Sequence, residues 1–166
     1  MTLHFPAEEY EDRWARVDAA MAAKGYDAAI VWSRPGGTYD RCGDVLYLTN
    51  YVSTESGQEP DNKKRKASAF SAVLLVRGEP PMLIADEPPP EDAIATDNWV
   101  WSYDTVTKAA ELLKLFGNRS VALAGSDILP MKYGQQMFGA CPNIAMDDML
   151  IHEARMRKSP REFETM

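Results

Sequence analysis

Histidine and cysteine are both scarce, with two of each among 166 residues. A metal centre needs several His, Cys, Asp or Glu side chains converging on one point. His4 and His152 stand far apart, and His152-Glu153 is not part of an HExxH pattern. Adjacent helical residues point about 100° apart, so that pair would not chelate one ion; His152 reads as a helix-face residue. Cys42 and Cys141 form no CxxC pattern, which argues against a disulfide scaffold and fits a reducing compartment. No apolar run is long enough for a membrane span. The opening MTLHFPAEEYEDR lacks a signal-peptide core, and a cytoplasmic location is expected. Positive charge is also in deficit: the net charge of -7 argues against a nucleic-acid backbone as partner. The GxGxxG, GxxxxGK[ST] and GxSxG patterns are missing, so dinucleotide, P-loop and nucleophile-elbow chemistry have no sequence support.

What is present is the pattern of a layered α/β domain. Apolar residues make up 45% and charged residues 26%, the mix of a globular chain. Residues 7–24 repeat Tyr10, Trp14, Val17 and Met21 at helical spacing, with acids in the first turns and Gly25 at the end. AAIVW at 28–32 reads as a strand buried on both faces. Residues 33–43 form a Pro/Gly loop, and its RPGG reads as an ordinary turn. Residues 44–51, DVLYLTNY, suit a short helix or a strand. FSAVLLVR at 70–77 and MLIA at 82–85 predict an antiparallel hairpin around GEPP. Residues 87–97 contain a short helix opened by prolines. WVWSY at 99–103 alternates, putting Trp99, Trp101 and Tyr103 on one face. Helices are expected over 105–116, closed by Gly117-Asn118, and over 130–138, with strands at 120–124 and 143–146. The sum is a mixed sheet of about five or six strands with helices on both faces.

Two stretches stand apart. Residues 52–68 are polar, long for a connection, and contain the cation run KKRK at 63–66; such a stretch is functional or mobile. Residues 149–166 run out of a helix through Arg155, Arg157 and Lys158. They then present Ser159 at N-cap, Pro160 at N1 and Glu162 at N3, a capping-box start. A new helix is therefore announced at 159. The expected division is a domain over residues 1–158, with 159–166 opening the connection to a second, absent domain. Asp147-Asp148 reads as an N-cap with a first-turn anion rather than a catalytic carboxylate pair.

The ordered features resemble the N-terminal domain of the creatinase, prolidase and Xaa-Pro aminopeptidase family, the pita-bread metallohydrolases. Glu9-Tyr10-x-x-Arg13 and Met21-x-x-x-Gly25-x-Asp27-Ala28-Ala29-Ile30-Val31 are similar to its first helix and strand. Leu46-Tyr47-Leu48-Thr49-Asn50-Tyr51 is similar to its YLTGY segment, with Asn50 where the family has Gly. Arg155-x-x-Lys158-Ser159-Pro160-x-Glu162 is similar to its interdomain connection. The resemblance implies a ribonuclease-H-like creatinase N-terminal domain. It also implies a catalytic domain elsewhere in the parent protein, with two Asp, one His and two Glu holding Mn, Co or Zn.

On that reading this chain is non-catalytic and carries no cofactor. It shapes substrate access and subunit assembly in a metal-dependent hydrolase, an Xaa-Pro peptidase or creatinase-like enzyme. Its partners are its own C-terminal catalytic domain and a second copy in a homodimer, with no nucleic acid and no membrane. Arg65, Lys66 and Phe70 are candidates to contact substrate or the partner subunit. Trp99, Trp101 and Tyr103 form a candidate interface. The alternative is a self-standing small-molecule or protein-binding module.

Overall fold

The computed structural model describes residues 3–35, 42–54 and 69–164. Helix α1, Ala7–Lys24, ends at Gly25, whose φ of 76° is the left-handed conformation that glycine adopts without a Cβ penalty. The Tyr26 N–H returns to the Met21 carbonyl, closing a Schellman-type stop. Then follow β1 (Ala28–Ser33), α2 (Gly43–Thr49), β2 (Ser71–Val76), β3 (Met82–Ala85) and β4 (Trp99–Trp101). Next are α3 (Thr105–Leu113), β5 (Val121–Ala124), α4 (Met131–Ala140), β6 (Ile144–Met146), α5 (Met149–Met156) and α6 (Pro160–Glu164). A 3-10 turn at Glu91–Ala93 is the short helix expected after the prolines.

The strands form one six-stranded sheet in the order β4-β3-β2-β1-β5-β6. β2 runs antiparallel to β1 and β3, while β1–β5, β5–β6 and β3–β4 pair in parallel. β1 is buried along its whole length, as its continuous apolar run requires of a central strand. Its alternate residues feed two cores. Ala28, Ile30 and Trp32 pack with Val106, Leu113, Tyr133 and Met137 of α3 and α4. Ala29 and Val31 pack with Val17, Met21, Val45, Leu48, Leu150 and Ile151 of α1, α2 and α5. Helices therefore cover both faces, as the sequence pattern requires.

Three local outcomes were open or differ from expectation. Residues 43–49 are helical: Val45 and Leu48, three apart, are both fully buried, a contact that strand alternation cannot make. Asn50 ends this helix at φ 61°, which accounts for an Asn where the resembling family has Gly, since Asn tolerates the left-handed region. Its side chain also accepts from Tyr10 Oη at 3.0 Å and donates to the Ala93 carbonyl at 2.7 Å. The Asp147-Asp148 expectation is corrected. Asp148 sits at the N-cap of α5 but makes no side-chain cap there. Its carboxylate instead accepts from Ser126 N and Oγ, and Asp147 pairs with Lys24 Nζ at 2.9 Å. Partners from neighbouring elements outcompete the local cap.

Candidate functional site

The sheet has a topological switch between its central parallel strands. Past the carboxyl end of β1 the chain goes to α2 on one face; past β5 it goes to α4 on the other. Crevices outside strand carboxyl ends at such a point are where open α/β sheets take ligands. Here an open crevice of ≈ 640 Å³ is lined by Trp32, Gly125, Asp127, Asp148, His152 and Arg155, with Gly43 and Asp44 of α2 at its side. Gly125, at φ 79°, follows β5, and a Cβ there would lie 2.7 Å from the Trp32 carbonyl oxygen. The Arg155 guanidinium lies over Gly43, 2.5 Å from where a Cβ would stand, and Arg155 Nη1 pairs with Asp44 Oδ1 at 2.6 Å.

The charges of the crevice are largely spent on one another. Arg155 holds Asp44, and Lys158 Nζ donates to the Arg155 carbonyl at 2.8 Å. Ser126 Oγ donates to Asp148 at 2.6 Å; that locks the turn after β5 and is not a nucleophile–base pair. Among the described residues no group of three or more His, Cys, Asp or Glu is placed to hold a metal ion. Both cysteines are free thiols, Cys42 half-buried and Cys141 buried.

A second cluster ties the chain at residues 51–54 to the chain at residue 69. Asp86, just after β3, is buried, and its carboxylate accepts from Tyr51 Oη at 2.9 Å, Ser53 Oγ at 2.7 Å and Ala69 N at 3.0 Å. Glu87 accepts from Thr54 N and Oγ1. Two adjacent carboxylates thus hold the chain on both sides of residues 55–68. Burial pushes the Asp86 carboxyl above its ordinary range, against the hydrogen bonds from Ser53 and Tyr51 that favour its charge. Burial and the neighbouring Asp86 charge push the Tyr51 phenol up. Ala69, at φ 66°, is a non-glycine residue in the left-handed region, fixed there by its N–H to Asp86.

The expected contact residues separate. Arg65 and Lys66 lie outside the described residues. Phe70, the third candidate to contact substrate or the partner subunit, is 3% exposed and belongs to the core. Its ring packs edge-on against Trp32 and Tyr133, centroids 6.4 and 5.6 Å away, and the Arg34 guanidinium lies 5.0 Å over it. A ring of that area is drawn into the core. Trp99, Trp101 and Tyr103 do line the outer edge strand, 36%, 43% and 48% exposed. Val100, between the two tryptophans, packs on the opposite core. Trp101 Nε1 donates to the Asp86 carbonyl at 3.2 Å, and Trp101 stacks edge-on with Tyr103 at 4.8 Å.

Reasoning from sequence missed the polar centre on α1. Arg13 is 3% exposed. It donates from Nε to Glu9 at 3.2 Å, from Nη1 to the Tyr47 carbonyl at 2.9 Å and from Nη2 to Glu162 at 2.8 Å. The rings of Phe5, Tyr10 and Tyr47 surround it within 4.9 Å of their centroids. A Glu and an Arg four apart on the face that also bears Tyr10 and Val17 was the available signal.

With that geometry in hand, comparison with known proteins gives a consistent answer at the level of fold. No family model and no curated protein matches the chain. Solved structures do. The chain is similar to an Xaa-Pro dipeptidase from Bacillus anthracis at 14% identity and TM-score 0.64, covering 93% of this chain and 38% of that one. It is similar to the N-terminal domain of the cytoplasmic peptidase PepQ from Mycobacterium tuberculosis at 16% identity and TM-score 0.55, covering 87% of this chain and 98% of that domain. It is similar to a Creatine_N superfamily domain of a dipeptidase from Streptococcus thermophilus at 14% identity and TM-score 0.55, covering 87% and 98%. The fold is therefore that of the N-terminal domains of Xaa-Pro peptidases and their Creatine_N relatives. The chain spans about two fifths of the length of the Bacillus dipeptidase. Among the described residues no helix is long and apolar enough to cross a membrane.

Proposed function

We propose that this chain acts as the non-catalytic N-terminal domain of a creatinase- or Xaa-Pro-peptidase-like metallohydrolase, shaping substrate access and subunit assembly. The carrying observation is the two-sided fold match: nearly the whole of isolated N-terminal domains and about two fifths of a longer dipeptidase. In this reading the partners are a C-terminal catalytic domain, which holds Mn, Co or Zn, and a second copy. The parent protein is cytoplasmic. The exposed Trp99, Trp101 and Tyr103 provide an assembly face, since three contiguous large aromatics seldom stay uncovered on a monomer. Arg65 and Lys66 reach a substrate carboxylate or a neighbouring subunit, Arg through its paired N–H donors.

The test is the encoding reading frame. Continuation past Met166 into a segment bearing Asp, Asp, His, Glu and Glu ligands is the expected result. A stop at Met166 favours a self-standing binding module, for which the crevice between β1 and β5 is the observation in support. The isolated chain is expected to hydrolyse no proline-containing dipeptide with added manganese, cobalt or zinc; turnover above that of the free metal would overturn the reading. In the longer protein, Arg65→Ala and Lys66→Ala are expected to lower turnover or weaken assembly. If both leave these unchanged, the contact role is wrong.

A further inference from the structure

Helix α6 has five residues, Pro160–Glu164, and a helix that short does not hold itself together because nucleation outweighs one turn of hydrogen bonds. Among the described residues one side chain supplies both its cap and its buried anchor. Glu162 Oε2 accepts from Ser159 N at 3.0 Å while Glu162 N donates to Ser159 Oγ at 3.1 Å, the capping box announced by the sequence. The other oxygen, Oε1, accepts from Arg13 Nη2 at 2.8 Å, and Glu162 is only 7% exposed. One carboxylate thus both winds the helix and docks it.

The receiving side is built without α6. Arg13 is already oriented by Glu9, by the Tyr47 carbonyl and by the rings of Phe5, Tyr10 and Tyr47, which leaves Nη2 aimed at Glu162. Outside this buried contact the link is superficial: Arg161 reaches Glu9 at 3.4 Å and Asp12 at 3.2 Å from an exposed position, and such pairs contribute little. We infer that Glu162 is a plug in a preformed Arg13 socket, and that it makes the segment beyond α5 a rigid arm of fixed direction on α1. The plug engages through a bidentate carboxylate. Glutamine has one acceptor oxygen and cannot serve Ser159 N and Arg13 Nη2 together. Lysine at 13 keeps the charge but loses the fork. The inference concerns α6 and α1 alone and does not depend on what the arm carries.

The experiment is site-resolved hydrogen exchange on the 166-residue chain, read at the Glu162 and Phe163 amides and at β1 and β5, with trypsin cleavage at Lys158–Ser159 as a second readout. Glu162→Gln, Glu162→Ala and Arg13→Lys are each expected to raise exchange in α6 and cleavage at that bond at least tenfold. In the two Glu162 variants β1 and β5 amides should stay within twofold of wild type. Arg161→Ala is expected to change α6 by less than twofold. Wild-type protection of α6 in Glu162→Ala or Arg13→Lys overturns the inference. So does exchange in β1 and β5 rising in step with α6 in the Glu162 variants, because Glu162 would then hold the whole domain and α6 would be no separate element.

Discussion

Replacing Asp86 tests whether one buried carboxylate holds both approaches to residues 55–68. In Asp86→Ala, Tyr51 Oη, Ser53 Oγ and Ala69 N lose their common acceptor. Each buried donor left unsatisfied costs about 1–3 kcal/mol, offset in part because no charge is buried any longer. A net loss of about 3 kcal/mol corresponds to a fall in Tm of roughly 6–12 °C for a chain of this size. Asp86→Asn behaves differently. Its amide oxygen in the place of Oδ2 keeps Ser53 and Ala69, and its NH2 donates to Tyr51 Oη, whose proton turns to the Glu87 carbonyl 3.4 Å away. The expected cost is under about 1 kcal/mol at pH 7, since no donor is stranded.

The pH dependence gives an independent sign. Burial raises the folded carboxyl of Asp86 above its unfolded value of about 3.9. Between the two values the native state keeps a proton that the unfolded state has shed, so this group's contribution to stability falls as pH rises. The cost of the buried charge is fully present above the folded value and gone below about 3.9. Wild type should therefore gain on Asp86→Asn as the pH is lowered from 7 to 4 in circular-dichroism melts. A wild-type advantage that shrinks toward acid, or an Asn variant as damaged as the Ala variant, would refute the reasoning.

Arg13→Ala is expected to lose about 3–5 kcal/mol in urea unfolding, because Glu9 on α1 remains buried without its cation; Arg16→Ala, on the exposed side of the same cluster, should lose less than about 1 kcal/mol. Gly125→Ala combines a left-handed φ with a Cβ 2.7 Å from the Trp32 carbonyl and should cost more than Gly78→Ala, where φ is 77° but nothing lies within 4 Å and strain alone is about 1–3 kcal/mol. Equal thermal midpoints for the two would remove the role of the close approach. With Trp14 and Trp32 replaced by Phe, acrylamide should quench the Trp99 and Trp101 emission of the isolated chain efficiently and, in the proposed longer assembly, weakly; equal quenching in both would remove the interface role of that face.

The sequence by itself determined most of the elements. Continuous apolar runs at 28–32 and 70–77 can only be satisfied inside a sheet, and Gly25 and the Ser159–Glu162 box mark helix ends through purely local hydrogen bonds. It also predicted helices on both faces, because strands without a polar side need two covers. Residues 44–51 stayed ambiguous because Leu46 and Leu48 alternate while Val45 and Leu48 repeat at helical spacing; only packing against β1 chose the helix. The places of Phe70 in the core, of Asp148 on Ser126 and of Asp86 between Tyr51, Ser53 and Ala69 were decided by the tertiary structure. Each depends on a partner from another element, 17 to 35 residues away for Asp86. The crevice between β1 and β5 is likewise absent from any single stretch, since strand order alone makes their connections part to opposite faces. Arg13 is the plainest case: its charge predicts solvent, and its burial is offset only by partners that the fold assembles around it, Glu9 on its own helix, the Tyr47 carbonyl, Glu162 149 residues away and three rings.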